Sequence, residues 1–349
     1  MKQSLFKSKG KFYKANIHTH TTVSDGKATP EQVKEIYKSD GFSIVAYTDH
    51  NILIDHSHLN DDEFLAISGM EYDFNGGVPG VPYSFMRTYH MLLLAKDPAG
   101  TYYPCANPDY TYDNEAHNEK KYVQPYYKGD FIREYSAASV NTMIRDAKEH
   151  GFLICYCHPA WSLQNYLDYS GLEGVDFVEA YNTGCCISGY DLDKSDHVFH
   201  DFLVMGKRPL PAASDDLHWP GHAFGGGTYI KADALTYESV FAAIENQDVY
   251  ASWGPEIKDI WYDAEKCRIG IETAGVKEIF LVSERRFAQY KINAHGGRIF
   301  NGDFDISGYV QDTLTYGDPR RSFLRFVATD FGGNKALSRA YSVEELLNK

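Results

Sequence analysis

The sequence predicts an α/β chain: strand-then-helix units forming a parallel sheet or barrel, followed by a small all-β sandwich. Three observations predict this. Strand-like and helix-like segments alternate over the first two-thirds of the 349 residues. Histidines and carboxylates recur just after the strand-like runs, where a (β/α) barrel gathers its functional loops. After Pro255 the texture changes to short alternating runs separated by turn signals.

The elements follow in order. Lys14 to Ile17 is a short strand leading into His18. Thr29-Pro30-Glu31-Gln32 starts a helix: Thr29 can cap, Pro30 suits the first helical position, and Gln32 completes a capping box. Val33, Ile36 and Tyr37 mark its apolar face and Gly41 closes it. Ser43 to Thr48 is the next strand and ends at Asp49-His50. Phe64 to Ser68 runs as a strand into Glu71. His90 to Ala95 is an apolar run opened, not ended, by its histidine. Ser136 to His150 is a helix with Val140, Met143, Ile144 and Ala147 on one face. Phe152 to Cys157 delivers His158-Pro159, and Asp176 to Tyr181 ends near Asn182. Lys194 to Met205 is helical, Leu210 to Ser214 delivers Asp215, Asp216 and His218, and Glu238 to Asn246 is a last helix.

Residues 97–129 break the rhythm. This stretch holds Tyr102, Tyr103, Tyr110, Tyr112, Tyr122, Tyr126 and Tyr127 with little periodicity, the texture of a lid or wall over a site. Beyond Pro255 the strand candidates are Ile257 to Tyr262, Cys267 to Thr273, Glu278 to Ser283, Gln289 to Asn293, Phe323 to Thr329 and Leu337 to Ser342. Gly296-Gly297, Asn301-Gly302 and Gly332-Gly333-Asn334 read as turns between them. That region holds His295 but no clustered ligand set, so it is assigned no catalytic chemistry.

A formal net charge of −14 leaves no broad basic face, which disfavours long nucleic acid as a partner. A small anionic substrate stays open, because metal ions supply positive charge locally. Met1 to Lys14 lacks the apolar core of a signal peptide, and no apolar run approaches membrane-spanning length. The six cysteines, including Cys155-x-Cys157 and Cys185-Cys186, lack zinc-ribbon spacing and read as reduced core residues. The expectation is a cytoplasmic protein with no membrane partner; the oligomeric state is not legible.

The chemistry lies in a series of ligand-type residues. His18 and His20, two apart in extended backbone, can point to one side and meet one metal. Asp25, in Ser24-Asp25-Gly26, is equally a turn residue when taken alone, and His50 equally a core histidine. Glu71 follows an apolar context where a lone carboxylate is costly unless paired or metal-bound. His90 opens an apolar run, and His158 ends one. Asp216 and His218 repeat the two-residue spacing; Asp215 competes with Asp216, and the Asp-x-His spacing favours Asp216. Nine such residues make a shared metal centre the better joint reading. His56-x-His58 repeats the spacing without a preceding strand and reads as solvated loop. His222 and Arg87 are candidates for contacting substrate, Arg87 as a guanidinium clamp on phosphate. Asp49 is expected to orient an imidazole. Glu179 and Asn182 either line the site or form a buried polar network.

His18-x-His20, Ser24-Asp25-Gly26, Thr48-Asp49-His50-Asn51, Gly69-Met70-Glu71, His158-Pro159 and Asp216-x-His218, in that order, resemble the polymerase and histidinol phosphatase (PHP) family over about residues 14–230. The Tyr250-x-Ser252-x-Gly254-Pro255 junction is similar to that before the sandwich of some two-domain members. The resemblance implies a distorted seven-stranded, TIM-like (β/α) barrel over residues 1–254 and a β-sandwich over 255–349. It also implies two or three divalent metals, with zinc, manganese and iron all suited to nitrogen and oxygen ligands. Carried over by motif, His18, His20, Glu71 and Asp216 would bind one ion. Glu71 would bridge to a second completed by His90 and His158, and Asp25, His50 and His218 would bind a third. Glu71, Asp216 and His218 are the catalytic candidates.

The implied activity is hydrolysis of a small phosphorylated metabolite, with hydroxide formed at the metals attacking phosphorus. The alternatives are the same chemistry on an ester, lactone or amide, or a metal-stabilised binding protein acting through its sandwich.

Overall fold

The computed structural model describes residues 1–77, 80–100, 102–110, 128–188, 193–293 and 296–349. Most of the Tyr-rich stretch, with Tyr112, Tyr122, Tyr126 and Tyr127, lies outside the described residues, as does His295.

The chain opens with β1 (Lys2–Ser4), then β2 (Lys11–Asn16), α1 (Pro30–Lys38), β3 (Phe42–Tyr47) and β4 (Leu65–Asn75). β2, β3 and β4 pair in parallel. α1 begins on the expected capping box: Gln32 N donates to Thr29 Oγ1, and Thr29 N donates to Gln32 Oε1. Glu71 lies within β4, not beyond it, because the strand continues past Ser68 as the partner of β5 (Thr88–Ala95).

β5 runs antiparallel to both β4 and β6 (Phe152–Tyr156), which α2 (Ala137–Glu149) precedes. The start of an antiparallel strand lies at the same end of a sheet as the ends of its parallel neighbours. His90, two residues into β5, therefore shares the rim with residues that end strands. Next come α3 (Tyr166–Tyr169), β7 (Phe177–Asn182), α4 (Thr183–Ile187), α5 (Asp196–Val204) and β8 (Leu210–Ser214), with β6, β7 and β8 parallel. β9 (Gly227–Ala232), α6 (Tyr237–Glu245) and β10 (Val249–Ser252) follow, and β9 returns antiparallel to β2. β8 and β9 meet through Thr228, whose hydroxyl bonds the backbone of Ala213 on both its N–H (3.2 Å) and C=O (3.1 Å). The result is a mixed sheet resembling a distorted barrel core.

The C-terminal part contains β11 (Ile257–Asp263), β12 (Arg268–Val276), β13 (Glu278–Ser283), β14 (Ala288–Ile292), β15 (Ile299–Asp305) and α7 (Ser307–Tyr316). β16 (Phe323–Thr329), β17 (Lys335–Ser338), β18 (Tyr341–Ser342) and α8 (Val343–Leu347) complete it. One antiparallel sheet, in the order β1-β11-β12-β15, is separate; the remaining strands join the barrel sheet. β10 is the join, hydrogen-bonded to β9 on one side and β17 on the other. The sheet thus runs through the junction at residue 254.

Two expectations need correction here. The C-terminal part is not all-β, because α7 and α8 pack Tyr309, Val310, Val343 and Leu346 into its core, so α6 is not the last helix. Asn301-Gly302 is not a turn but the middle of β15. Gly302 lies opposite Ile271, and neighbouring Gly270 leaves room for the Trp261 ring, whose atoms would stand 2.2 Å from any added Cβ. At the N-terminus β1 pairs with β11, Ser4 opposite Trp261.

Among the described residues no helix is long and apolar enough to cross a membrane.

Candidate metal centre

Strand ends build the site. β2 delivers His18 and His20, both fully buried, and a parallel bridge between Thr19 and Leu217 sets this segment beside the one after β8. A second bridge, His50 to Glu71, sets the end of β3 against β4. Two-residue periodicity then turns His18 and His20 to one side, and their Nε2 atoms lie 3.2 Å apart.

Glu71 stands at the centre. Its Oε1 lies 2.7 Å from His90 Nδ1, 3.1 Å from His158 Nε2 and 3.4 Å from His18 Nε2. Its Oε2 lies 3.0 Å from His50 Nδ1 and 3.3 Å from His20 Nε2. Asp216 Oδ1 lies 3.2 to 3.4 Å from His20, His18 and His218. Asp25 closes the outer side, with Oδ1 3.4 Å from His218 Nε2 and Oδ2 3.7 Å from His50 Nε2. All nine residues expected as ligands are thus brought to one place. Their ligand-type atoms fall into close groups that could hold an ion: His20-Asp25-His50-His218, His18-His20-Asp216 and Glu71-His90-His158. Further groups add Glu179 and Cys157 to His18. Burial pushes the Cys157 thiol well up, and its sulfur donates to the Cys155 carbonyl.

The donor set fits divalent ions. His18 Nδ1 is taken by Glu179 Oε1 at 2.8 Å, which leaves Nε2 to face His20 Nε2. Two imidazole nitrogens meeting head-on can share at most one proton. His20 Nδ1 and Asp216 Oδ1 are buried without a hydrogen-bond partner. Lone pairs converging from six imidazoles and three carboxylates are what a cation would satisfy.

Without a cation, protons take up part of this charge. Burial alone would lower the His50 and His158 pKa, but the neighbouring carboxylates, Glu71 above all, raise each to about 9. Burial likewise opposes ionisation of Glu71, yet His90, His18 and His50 hold it well below the usual carboxylate range. At His90 burial prevails over Glu71 and lowers the pKa.

The surrounding residues divide differently from expectation. Asp49 bonds no imidazole; it accepts from Thr21 N (2.7 Å), Thr21 Oγ1, Ser24 N and Ser24 Oγ (2.7 Å), tying down the loop that carries His20 and Asp25. Glu179 does the orienting. Besides His18 it accepts from His158 N (2.9 Å), Asn182 Nδ2 and Ser214 Oγ, so Glu179 and Asn182 form a buried network behind the ligands. Asp215 faces away from the cluster and accepts from Thr183, Tyr37 and three consecutive backbone N–H groups, Phe224 to Gly226. Asp216 takes a left-handed backbone (φ +49°), which points the two adjacent carboxylates apart. His222 sits behind His218, its Nδ1 3.4 Å from the Asp216 carbonyl, and Arg87 is half exposed, pairing with Asp168 at 3.3 Å. Neither lines the cavity. His56 is buried against Tyr47, not solvated, while His58 is exposed.

That cavity, of about 340 Å³, opens over the cluster and is walled by Tyr83, Trp161, Asn51 and Asp73. Trp161 packs edge-on against His158 at 5.1 Å, and its backbone N–H is held by Asp193 at 2.7 Å. Asp73 is countered by the buried Arg133, which also bonds Asn51 and lies 3.6 Å over the Tyr72 ring. Tyr103, in the Tyr-rich stretch, donates to the carbonyl of Asn51. Sequence reasoning did not single out Tyr83, Trp161, Asp73 or Arg133, because no spacing marks a residue that a distant loop brings in. Among the described residues no lysine or arginine lines the cavity.

No protein-family model and no curated protein matches the chain. Among solved structures it is similar to a two-domain protein from Bacteroides vulgatus containing a predicted PHP-like metal-dependent phosphoesterase, at 13% identity over 95% of each chain with a TM-score of 0.43. A protein from Bifidobacterium adolescentis proposed to be a metal-dependent phosphoesterase aligns at 16% identity, over 59% of this chain and 88% of that one, TM-score 0.34. An amidohydrolase from Chromobacterium violaceum, with bound sulfate and no metal, aligns at 16% over the same shares, TM-score 0.37. The chemistry rests on the side chains themselves. The fold and site define an α/β protein with several His, Asp and Glu clusters able to chelate metal ions.

Proposed function

We propose that this chain is a metal-dependent hydrolase of phosphoester bonds, acting on a small phosphorylated metabolite. The observation that supports it most is the Glu71 carboxylate, buried and faced by five imidazoles, with Asp216 and Asp25 beside it. We place two or three divalent ions on His18, His20, Asp25, His50, Glu71, His90, His158, Asp216 and His218, at the mouth of a closed barrel built from β2 to β10. Bound there, such ions would acidify water and take up charge developing on the substrate's oxygens.

The chain's own residues do the rest. Glu179 accepts the His18 Nδ1 proton and so keeps the Nε2 lone pair directed inward. Ser162 Oγ, 3.2 Å from His158 Nδ1, does the same for His158. Trp161 and Tyr83 wall one side of the cavity, and the half-exposed Tyr83 phenol, protonated at neutral pH, can donate to a substrate oxygen. A cavity of about 340 Å³ suits a small substrate.

A second reading changes the bond to a carboxylic ester, lactone or amide. It is favoured by the lack of a cationic side chain on the described cavity wall, since phosphoryl sites commonly use one. Metal analysis of the purified chain, followed by a phosphomonoester, a phosphodiester, a carboxylic ester, a lactone and an amide on the loaded protein, separates the two. Turnover confined to the phosphoesters is expected. Turnover confined to acyl substrates would move the assignment to the second reading, and full turnover after metal depletion would sink both.

A further inference from the structure

The face of β16 that meets the barrel contains an arginine that forms no ion pair among the described residues. Alternation along the strand sends Leu324, Phe326 and Ala328 into the C-terminal core. Phe323, Arg325 and Val327 point the other way, and Phe323 and Val327 join the hydrophobic cluster of the barrel side. Arg325 thus stands between two apolar residues, only 6% exposed. Its Nε and Nη1 have no hydrogen-bond partner. Its Nη2 makes one long bond, 3.4 Å, to His200 Nδ1 on α5. Among the described residues no carboxylate forms an ion pair with it. A buried guanidinium left in this state is costly, and an anion would relieve it.

A groove of about 550 Å³ lies over it. Arg325, Val282 and Ala288 form a row across β16, β13 and β14 as its floor, and α5 supplies the opposite wall with His197 and His200. Arg286, exposed, stands at the rim. Asp196 also lines the groove and favours the charged form of Arg325 through space, but its carboxylate is engaged by Lys335 at 2.7 Å; Glu284 accepts from Tyr309 and Phe323 N. Arg285 is likewise taken, by Tyr309 O and Thr313.

We propose that this groove between α5 and the C-terminal sheet binds a phosphoryl group, with Arg325 beneath the anion and Arg286 at its edge. A planar guanidinium matches phosphate oxygens with paired donors, and two arginines suit a dianion better than a single carboxylate charge. The groove has room beyond one inorganic ion, so a phosphorylated small molecule fits as well as free phosphate. The proposal does not depend on the metal centre or on its reaction.

The test is calorimetric titration of the full chain with inorganic phosphate after metal removal, so that the metal centre cannot take the anion and no ester is turned over. One phosphate per chain is expected. Arg325→Met should weaken binding at least about tenfold and Arg286→Glu likewise, whereas Arg87→Ala should change nothing. Glucose 6-phosphate should compete for the same site; tighter binding of the ester identifies a metabolite as the occupant, and its exclusion identifies free phosphate. No phosphate binding, binding that survives Arg286→Glu, or acetate binding as tightly as phosphate would each overturn the proposal. Arg286→Glu decides even if Arg325→Met fails to fold, because Arg286 is exposed.

Discussion

The barrel mouth and the groove beside β16 present opposite electrostatic problems. At the mouth, six imidazoles and three carboxylates crowd together with lone pairs facing inward, and two of their atoms are buried without a partner. In the groove, a guanidinium is buried with two nitrogens unpartnered. The first arrangement suits a cation and the second an anion. The first arises from many residues that several strand ends converge on one point. The second arises from one residue whose strand neighbours are apolar. Burying polar groups without partners is unfavourable in either sense, so each arrangement points to a ligand of the opposite sign.

The strongest way to break this comparison is at Glu71. Glu71→Ala removes the carboxylate shared by five imidazoles; we expect loss of bound metal by elemental analysis together with at least about a 10³-fold fall in hydrolysis, several kcal/mol of barrier. Groove binding of phosphate should be unchanged in the same variant, and its loss would show that the two regions are not independent.

Proton linkage gives the next largest effect. His50 and His158, with pKa values raised to about 9 in the metal-free protein, carry protons at neutral pH. Metal must displace them, so metal uptake at pH 7.5 should release protons, and affinity should weaken about tenfold per displaced proton for each pH unit below 9. Titrations in buffers of different ionisation enthalpy measure the release; none at all would mean the cluster does not hold the charge described.

Glu179→Gln keeps the shape but weakens the acceptor for His18 Nδ1. A fall of about 10- to 100-fold in metal affinity is expected, with the fold intact by circular dichroism.

The smallest effect lies in the groove. Arg325→Met should raise stability by about 1 kcal/mol in phosphate-free buffer, since a well-packed apolar side chain replaces an unpaired buried charge. Adding phosphate should raise the melting temperature of the metal-free native chain and raise the variant's by less. A destabilised variant in phosphate-free buffer would show that the guanidinium is already satisfied.

Much of the site was legible because it is made of local signals. His18 and His20 share a side by two-residue periodicity, and Asp216 and His218 repeat that spacing. The α1 capping box needed only Thr29 and Gln32. Several misreadings concern side-chain partners that local spacing does not reveal. Asp49 sits one residue from His50, yet its bonds go to Thr21 and Ser24. Asn301-Gly302 is a turn dipeptide by composition, but it pairs with β12, and the Trp261 and Phe304 rings fill the space over Gly270 and Gly302. His56 looks solvated beside acidic residues and is covered by Tyr47.

The sequence by itself determined which residues could serve as ligands and in which short segments they lie, because spacing along a strand depends only on backbone geometry. Only the tertiary structure decided that β5 runs antiparallel and so brings His90 to the shared rim, that Asp215 turns away while Asp216 turns in, and that Arg325 faces α5 with two nitrogens lacking a hydrogen-bond partner among the described residues. Each of these depends on strand pairing between residues far apart in the chain, and no local pattern encodes the partner across a sheet.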